Sequence, residues 1–551
     1  MSRSPKGWGA VLLALVLAWL VAYPLVLVGL ESVHTRDGWT LEFLRRFIAE
    51  SREWKALWAS VWTSVASVLL AGVLGIPLAF LFERFDFPGR RLLGGLVALP
   101  VVLPPLVGVI AFLFLYGETG FAARMVQAIL GLEDPPWRLE GAWAILLVHA
   151  YSMYVYFYLF TRAGLAALDP AAHEAAASLG AGRWTTLRRV TLPLLAPSLR
   201  GAALLTFMTA LASFSAPYIF GGGFRVMTTQ IVFTRLNGDY GMAMVQTMVL
   251  SLVALAGLWL TGSSGSGSAG GGGKGVAPAR RVIQSRGLRA AATLFGWGLA
   301  LLLLLPHLTL ILLSFVKPGT WTVETLPPAY TTGNYLALAN DPERLRPLVN
   351  SLWMATLATG AALAIAVYAG FVTVRRRVPG AGVVEGLLGV PWLVPGTVFA
   401  IALATAFGVN QPLVGRIVLV GTLWILPLAY LIRNLPIASR AVLAGFRGLD
   451  PALEEASASL GAGRWRTLRR VTLPLLRPAL AAGATLAFVT ALGDFVTSII
   501  LYTYDTRPLS LEILSSLRQG DVGVAAAYGV LLMVLAGAVF SLGSERQVLS
   551  R

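Results

Sequence analysis

Residues Asp169–Pro197 read DPAAHEAAASLGAGRWTTLRRVTLPLLAP, and 281 residues later the chain repeats them from Asp450 as DPALEEASASLGAGRWRTLRRVTLPLLRP. Between residues 169 and 195 only four of 27 positions differ from their counterparts: Ala172/Leu453, His173/Glu454, Ala176/Ser457 and Thr185/Arg466. Each copy is a polar, basic island between long apolar runs. Asp169 and Asp450 suit a helix N-cap, and Pro170 and Pro451 suit the first helical position. The alanine-rich segments that follow favour helix, and Gly180 and Gly461 stop it, because glycine takes the left-handed conformation at little cost. Two to three turns make a helix about 15 Å long. A basic helical stretch, 183–195, then carries Trp184, Arg188 and Arg189 towards the next apolar run, with Pro193 and Pro197 punctuating the return.

The runs around these islands define the class. The chain has 551 residues, 57% of them hydrophobic and only 13% charged. Its mean hydropathy is +0.74. These values describe an all-α integral membrane protein rather than a globular enzyme. Apolar runs at 8–30, 57–82, 92–116, 141–160, 198–220 and 241–260 form one set of six. Those at 290–316, 350–374, 383–407, 417–432, 479–502 and 524–542 form a second. Each has about the length needed to span a bilayer. The run from Trp8 exceeds a signal-peptide core and is read as a retained span. The expected architecture is therefore about twelve spans in two parallel six-helix repeats. The first half covers 1–261 and the second 290–551. Between them, 262–289 is a Gly/Ser-rich linker followed by Arg280, Arg281, Arg286 and Arg289.

The formal charge of +17 fits loops that set membrane orientation better than it fits nucleic-acid binding. The segment 83–91, Arg375–Arg377 and both repeated islands are basic, which puts them on the cytoplasmic side. The outer segment 31–55 runs against that pattern, with Arg36, Arg45, Arg46, Arg52 and Lys55 beside five acidic residues that contribute little to orientation. Pro100 and Pro104 correspond to Pro391 and Pro395, and proline within a span frees carbonyls that neighbours must satisfy, so the third span of each half is expected to kink.

Arginines and tryptophan among lipid headgroups would account for Trp184, Arg188 and Arg189 alone, at about 1 kcal/mol per basic residue. They do not account for two alanine-rich helices kept nearly identical while the spans around them differ. Small residues permit close approach by another surface, and identical copies imply identical receptors, so the islands are read as docking sites for two copies of one soluble partner.

The pattern Glu174, Ala175, Ala176, Gly180, Val190, Leu192, Pro193 resembles the signature loop of permease subunits of binding-protein-dependent ABC importers. Glu455, Ala456, Ser457, Gly461, Val471, Leu473 and Pro474 repeat it, departing only at Ser457. The resemblance spans essentially the whole chain. It implies the type I importer permease fold with both halves fused, and coupling loops at 163–197 and 444–478 that each seat in a groove of one of two ATPase subunits. ATP and magnesium would be bound by those subunits. A substrate-binding protein would meet the outer face, in a bacterial cytoplasmic membrane with both termini cytoplasmic. The segments 214–231 (FSAPYIFGGGFRVMTTQI) and 491–502 (ALGDFVTSIILY) look like ferric-iron permeases, while thiamine and phosphonate permeases of similar build fit them too.

No catalytic, cofactor or metal residue emerges. Cysteine is absent, which excludes thiolate chemistry. The Gly-rich run at 270–275 has Ser268 where a phosphate loop needs glycine and Gly275 where it needs Ser or Thr, and it follows a span rather than a strand. His34, His149, His173 and His307 lack ligand spacing, and for His149 and His307 a helix-to-helix hydrogen bond is the expected role. Asp494 lies inside an apolar run, where an ionised side chain costs about 2.5–3.5 kcal/mol. It either lines a translocation path with Ser213, Phe214 and Phe495, or pairs with a buried basic or hydroxyl group. Tyr218 is a weaker path candidate. A secondary transporter also has about twelve spans in two repeats but needs ion-coupling acids in them. A channel or membrane enzyme needs a polar filter or a catalytic constellation, and neither is present.

Overall fold

The protein's computed structural model describes residues 8–35, 38–262, 280–321, 324–376, 378–408 and 411–548. The expected Gly/Ser linker lies mostly outside them, as does Arg377. Among the described residues, ten helices are long and apolar enough to cross a membrane. A pair bent by 110°, Ala381–Leu393 and Gly396–Gly408, makes an eleventh if it forms one span. The helix Ile425–Gly448 occupies the remaining place: it packs on Pro342–Gly370 as Gly141–Ala166 packs on Ser51–Arg84.

That helix corrects the expected span at 417–432. Gly415 and Gly421 adopt positive φ, 64° and 87°, and residues 417–424 are irregular chain and turns rather than helix. The helix instead runs on through Arg433, Pro436 and Arg440. Its charges are accommodated locally, Arg433 by Asp494 at 3.1 Å and Arg440 over the Trp392 ring at 4.3 Å. Within the last residues assigned to the linker, Ser285 caps the helix that begins at Arg286.

Small residues let the long helices approach closely, the usual basis of helix association in lipid. The inward face of Ser51–Arg84 carries Ala56, Ala59, Ser60, Ser64, Ser67, Ala71, Gly72 and Gly75. A Cβ on Gly75 would sit 2.4 Å from the Tyr154 carbonyl oxygen. The hydroxyls of Ser60, Ser64 and Ser67 bond carbonyls one turn back at 2.9, 2.6 and 2.6 Å, so they add no unpaired polar group.

The two halves interlock. The helix Trp8–Leu17 packs on Ala381–Leu393, and Arg286–Ser314 packs on Arg90–Leu96 and Pro105–Tyr116. Trp19 Nε1 donates to the Leu413 carbonyl at 3.1 Å and Gln411 Nε2 to Glu31 at 3.0 Å. Beyond the undescribed linker, Arg281–Val282 pairs in parallel with Phe85–Asp86, and Arg280 meets Glu83 at 2.8 Å. The linker therefore ends on the same side as the basic loop 83–91.

Several apolar runs are not continuous helices. The expected proline kink appears in both halves: Arg90–Leu96 is separated from Pro105–Tyr116 by a 3-10 turn at Leu99–Val102, and the second half bends by 110°. The run 198–220 breaks at 212–214 between Leu192–Leu211 and Ser215–Phe220, and 479–502 breaks at 493–495 between Leu473–Leu492 and Val496–Leu501. In each half a hydroxyl closes the break, Thr228 Oγ1 to the Ser213 carbonyl and Ser510 Oγ to the Asp494 carbonyl, both at 2.7 Å.

Close helix approach makes a direct expectation. Gly75→Ala should destabilise by about 1–3 kcal/mol through overpacking. Gly360→Ala, where an added Cβ meets nothing within 4 Å, should not. Thermal melting of both variants in detergent checks this.

Candidate functional site

The two repeated islands fold alike. Asp169 Oδ1 accepts the Ala171 N–H and Asp450 Oδ1 accepts the Ala452 N–H, both at 2.9 Å. The helices they start are Pro170–Ser178 and Ala452–Ser459. Gly180 (φ 73°) and Gly461 (φ 77°) end them. The N–H of Gly180 reaches the Ala177 carbonyl and that of Ala181 reaches Ala176; Gly461 and Ala462 reach Ala458 and Ser457 in the same way. This is the paired bonding of a Schellman cap. A short helix follows, then a π-helical turn, Leu187–Thr191 or Leu468–Thr472, and then the span Leu192–Leu211 or Leu473–Leu492.

Glu174, Ala175, Glu455 and Ala456 face outward. Ala176 is buried and Ser457 half-buried, with Ser457 Oγ 3.0 Å from Thr467 Oγ1, so this position ties the loop together from within. The single departure from the repeated motif is thus an internal hydrogen bond. Beside the glutamates, Trp184, which headgroup contact alone could explain, is joined by Leu179, a residue the sequence does not single out. Leu179 and Trp184 are 87% and 72% exposed, and their counterparts Leu460 and Trp465 are 89% and 71% exposed. Two identical apolar pairs on identical exposed loops are a surface without a partner inside the chain.

The path candidates are distributed as follows. Phe214 and Phe495 meet across the two halves with ring centroids 5.8 Å apart, both buried, and Tyr218 stacks on Phe214 at 5.1 Å. Arg518 of the second half bonds the Tyr218 hydroxyl. Ser213 Oγ lies 2.9 Å from His149 Nε2, whose Nδ1 lies 2.8 Å from Ser67 Oγ. The helix-to-helix role expected of His149 is therefore present. Among the described residues, no side chain of another helix is found on Nδ1 of His307, so the role expected of it is not seen there.

Asp494 finds partners of the kind that one of its two expected roles requires, a half-buried arginine and a buried threonine hydroxyl. Its Oδ2 lies 3.1 Å from Arg433 Nη1 and accepts from Thr497 Oγ1 at 3.1 Å. Its Oδ1 accepts the N–H groups of Thr497 and Ser498 at 2.9 and 3.3 Å. The carboxylate thus caps the helix Val496–Leu501 and compensates an arginine that passes within 2.1 Å of where a Cβ on Gly396 would stand.

A second buried acid was missed. Glu53, read as part of a polar outer segment, is fully buried and accepts from Gln246 Nε2 at 2.7 Å and Gln230 Nε2 at 3.0 Å, with Arg52 Nε at 3.2 Å. Its signal would have been the two glutamines in otherwise apolar stretches. Among the described residues, no three His, Asp or Glu side chains converge on a metal site.

With this architecture in place, the comparisons are decisive about class. Residues 71–265 and 362–546 each match the family described as binding-protein-dependent transport system inner membrane component, and the chain belongs to that family. It is a multi-pass ABC importer permease. It is 31% identical over 98% of its length to the probable ABC transporter permease protein y4fN of Sinorhizobium fredii, covering 96% of that protein. It is 26% identical over 96% of its length to the ferric transport system permease protein FbpB of Actinobacillus pleuropneumoniae, covering 77% of it. It is also 28% identical over 88% of its length to the thiamine transport system permease protein ThiP of Escherichia coli, covering 88%. Permeases of this family are membrane subunits and not themselves enzymes.

Two outcomes follow from the geometry. Gly461→Val penalises the left-handed residue by about 1–2 kcal/mol, with no steric contact involved. Uptake should fall while membrane insertion persists, and Gly461→Asn, which tolerates that conformation, should retain most of it. Asp494→Asn should lower the melting temperature in detergent, by about 3 kcal/mol in free energy, because it strands a partly buried arginine. An unchanged melting curve would show that the pair is not part of the framework.

Proposed function

We propose that this permease carries ferric iron across a bacterial cytoplasmic membrane, receiving it from an external binding protein and driven by two copies of a separate ATPase that bind ATP and magnesium. The observation that carries the reading is the pair of loops: identical caps, identical outward glutamates, and identical exposed Leu–Trp pairs. Two equal surfaces call for two equal receptors. The helices Pro170–Ser178 and Ala452–Ser459 would dock one in each ATPase groove, as coupling helices carrying the family's Glu-Ala-Ala signature.

ATP binding would draw the two ATPase subunits, and with them the docking helices, together. Phe214, Tyr218 and Phe495, whose rings meet between the halves, would close the way through. Opening the path outward would part these rings, and hydrolysis would restore the inward-open state, so transport is alternating access rather than a pore. Ferric cargo is supported by the likeness to FbpB over nearly the whole chain. Thiamine is the second reading, favoured by the coverage of ThiP. The remaining topology of the proposal, with N- and C-termini cytoplasmic, follows from the basic loops.

Reconstituted with its ATPase and binding protein, the permease should accumulate ferric iron and leave thiamine outside; the opposite result would assign thiamine. Glu174→Lys or Glu455→Lys should each reduce the ATPase that co-purifies, and the double change should reduce it more. Undiminished ATPase on the double variant would overturn docking, because a headgroup-bound loop gains from added lysine.

A further inference from the structure

The repeated loops are nearly identical, so the places where they differ are informative. Of the four differing positions, 185/466 is exposed on both loops. Position 173/454 is half-buried on both and faces the protein. There an imidazole and a carboxylate occupy the same node of three elements. In the first half, Arg84 Nη2, on the last residue of Ser51–Arg84, donates to His173 Nε2 at 3.2 Å. Thr191 Oγ1, closing the π-turn Leu187–Thr191, lies 3.0 Å from the same nitrogen. In the second half, Arg375 Nε lies 3.3 Å from Glu454 Oε1. Thr472 Oγ1, closing the equivalent π-turn, donates to that oxygen at 2.8 Å. Arg375 also donates to the Leu449 carbonyl, one residue before Asp450, whose side chain accepts the Ala452 N–H, at 3.2 and 3.3 Å.

An arginine has donors only, so the position must supply an acceptor, and neutral histidine and ionised glutamate both can. The acceptor is the common element; its charge is not. Beside this node the loop helix joins its neighbours through the backbone at Gly180 and Gly182 or Gly461 and Gly463, where Cβ positions are empty and the chain is compliant, and through the inward residue Ala176 or Ser457. With the node, the helix is fixed at one point to the end of one long span and the start of another. The outward surface, Glu174 with Leu179 and Trp184, is left free.

We propose that His173 and Glu454 are positioning residues for energy coupling: each transmits displacement of its docking helix into two spans at once, through the Arg84–Thr191 or Arg375–Thr472 node. This rests on the docking reading above. It differs from it in the quantity affected, which is transport per ATP rather than ATPase binding.

The test uses the full complex of permease, ATPase and binding protein in vesicles. ATPase retained, ATP hydrolysed and cargo moved are measured on the same preparations. His173→Ala and Glu454→Ala should keep the ATPase bound and hydrolysing while cargo moved per ATP falls about fivefold, ~1 kcal/mol of coupling. Glu454→Gln, which keeps the volume and the Thr472 bond but loses the ion pair, should fall less, and it covers the case in which the alanine variant fails to fold. His173→Glu, which imports the second loop's chemistry, should stay coupled. Glu454→Arg should uncouple, and adding Arg375→Glu should restore coupling, which a purely packing role would not produce. Unchanged cargo per ATP in both Glu454→Ala and Glu454→Gln, or no rescue by the charge exchange, would overturn the proposal. Failure of the unaltered permease to retain ATPase would instead overturn docking and the node with it.

Discussion

In hydrocarbon every backbone N–H and carbonyl must find a partner inside the protein, and this fold breaks several of its apolar runs, leaving such groups to be satisfied by side chains. The carboxylate of Asp494 is where the demand is met most economically. It takes the two free N–H groups that open Val496–Leu501, a threonine hydroxyl and one arginine, while a serine hydroxyl closes its own carbonyl. The first half meets the same demand differently. Thr228 closes the Ser213 carbonyl, and the Ser213 side chain turns to His149. Both solutions place a rigid polar knot directly beside the aromatic rings that meet between the halves.

The repeated loops show the opposite economy. They repeat the same caps, the same glycine turns and the same exposed Glu, Leu and Trp residues, and two of their four differences, at 173/454 and 176/457, face their own half. Ser457 adds a bond to Thr467 that Ala176 cannot make, and Glu454 replaces a histidine. The other two differences, Thr185/Arg466 and Ala172/Leu453, leave the glutamates and the Leu–Trp pairs unchanged, which is what a common external receptor on two unequal supports would require.

Much of this was legible in the chain. Asp-Pro, an alanine-rich turn and a glycine dictate a capped helix of known length, because each acts locally through a single residue's stereochemistry. The paired prolines gave the broken third span for the same reason. What hydropathy could not supply was register and partnership. The run 417–432 stopped at Arg433 only because a charge was counted as an end, whereas Asp494 lets the helix continue through it. Glu53 looked solvated beside Arg52 because the glutamines that bury it, Gln230 and Gln246, come from another helix hairpin. The breaks at 212–214 and 493–495 are marked only by Ser213, Ser215 and Pro217 and by Gly493 and Asp494, single residues inside runs that are otherwise as apolar as the helices.

The exchange of first helices has a consequence for biosynthesis. Trp19 bonds a carbonyl 394 residues further on, and the helix that begins at Trp8 packs on Ala381–Leu393 of the other half. At about 5–20 residues per second of translation, the first span waits on the order of 20–80 s in the bilayer before its seat exists. During that interval lipid must solvate a face that the finished protein hides. The nascent first half is thus an intermediate whose lifetime is set by the ribosome rather than by any barrier in the fold.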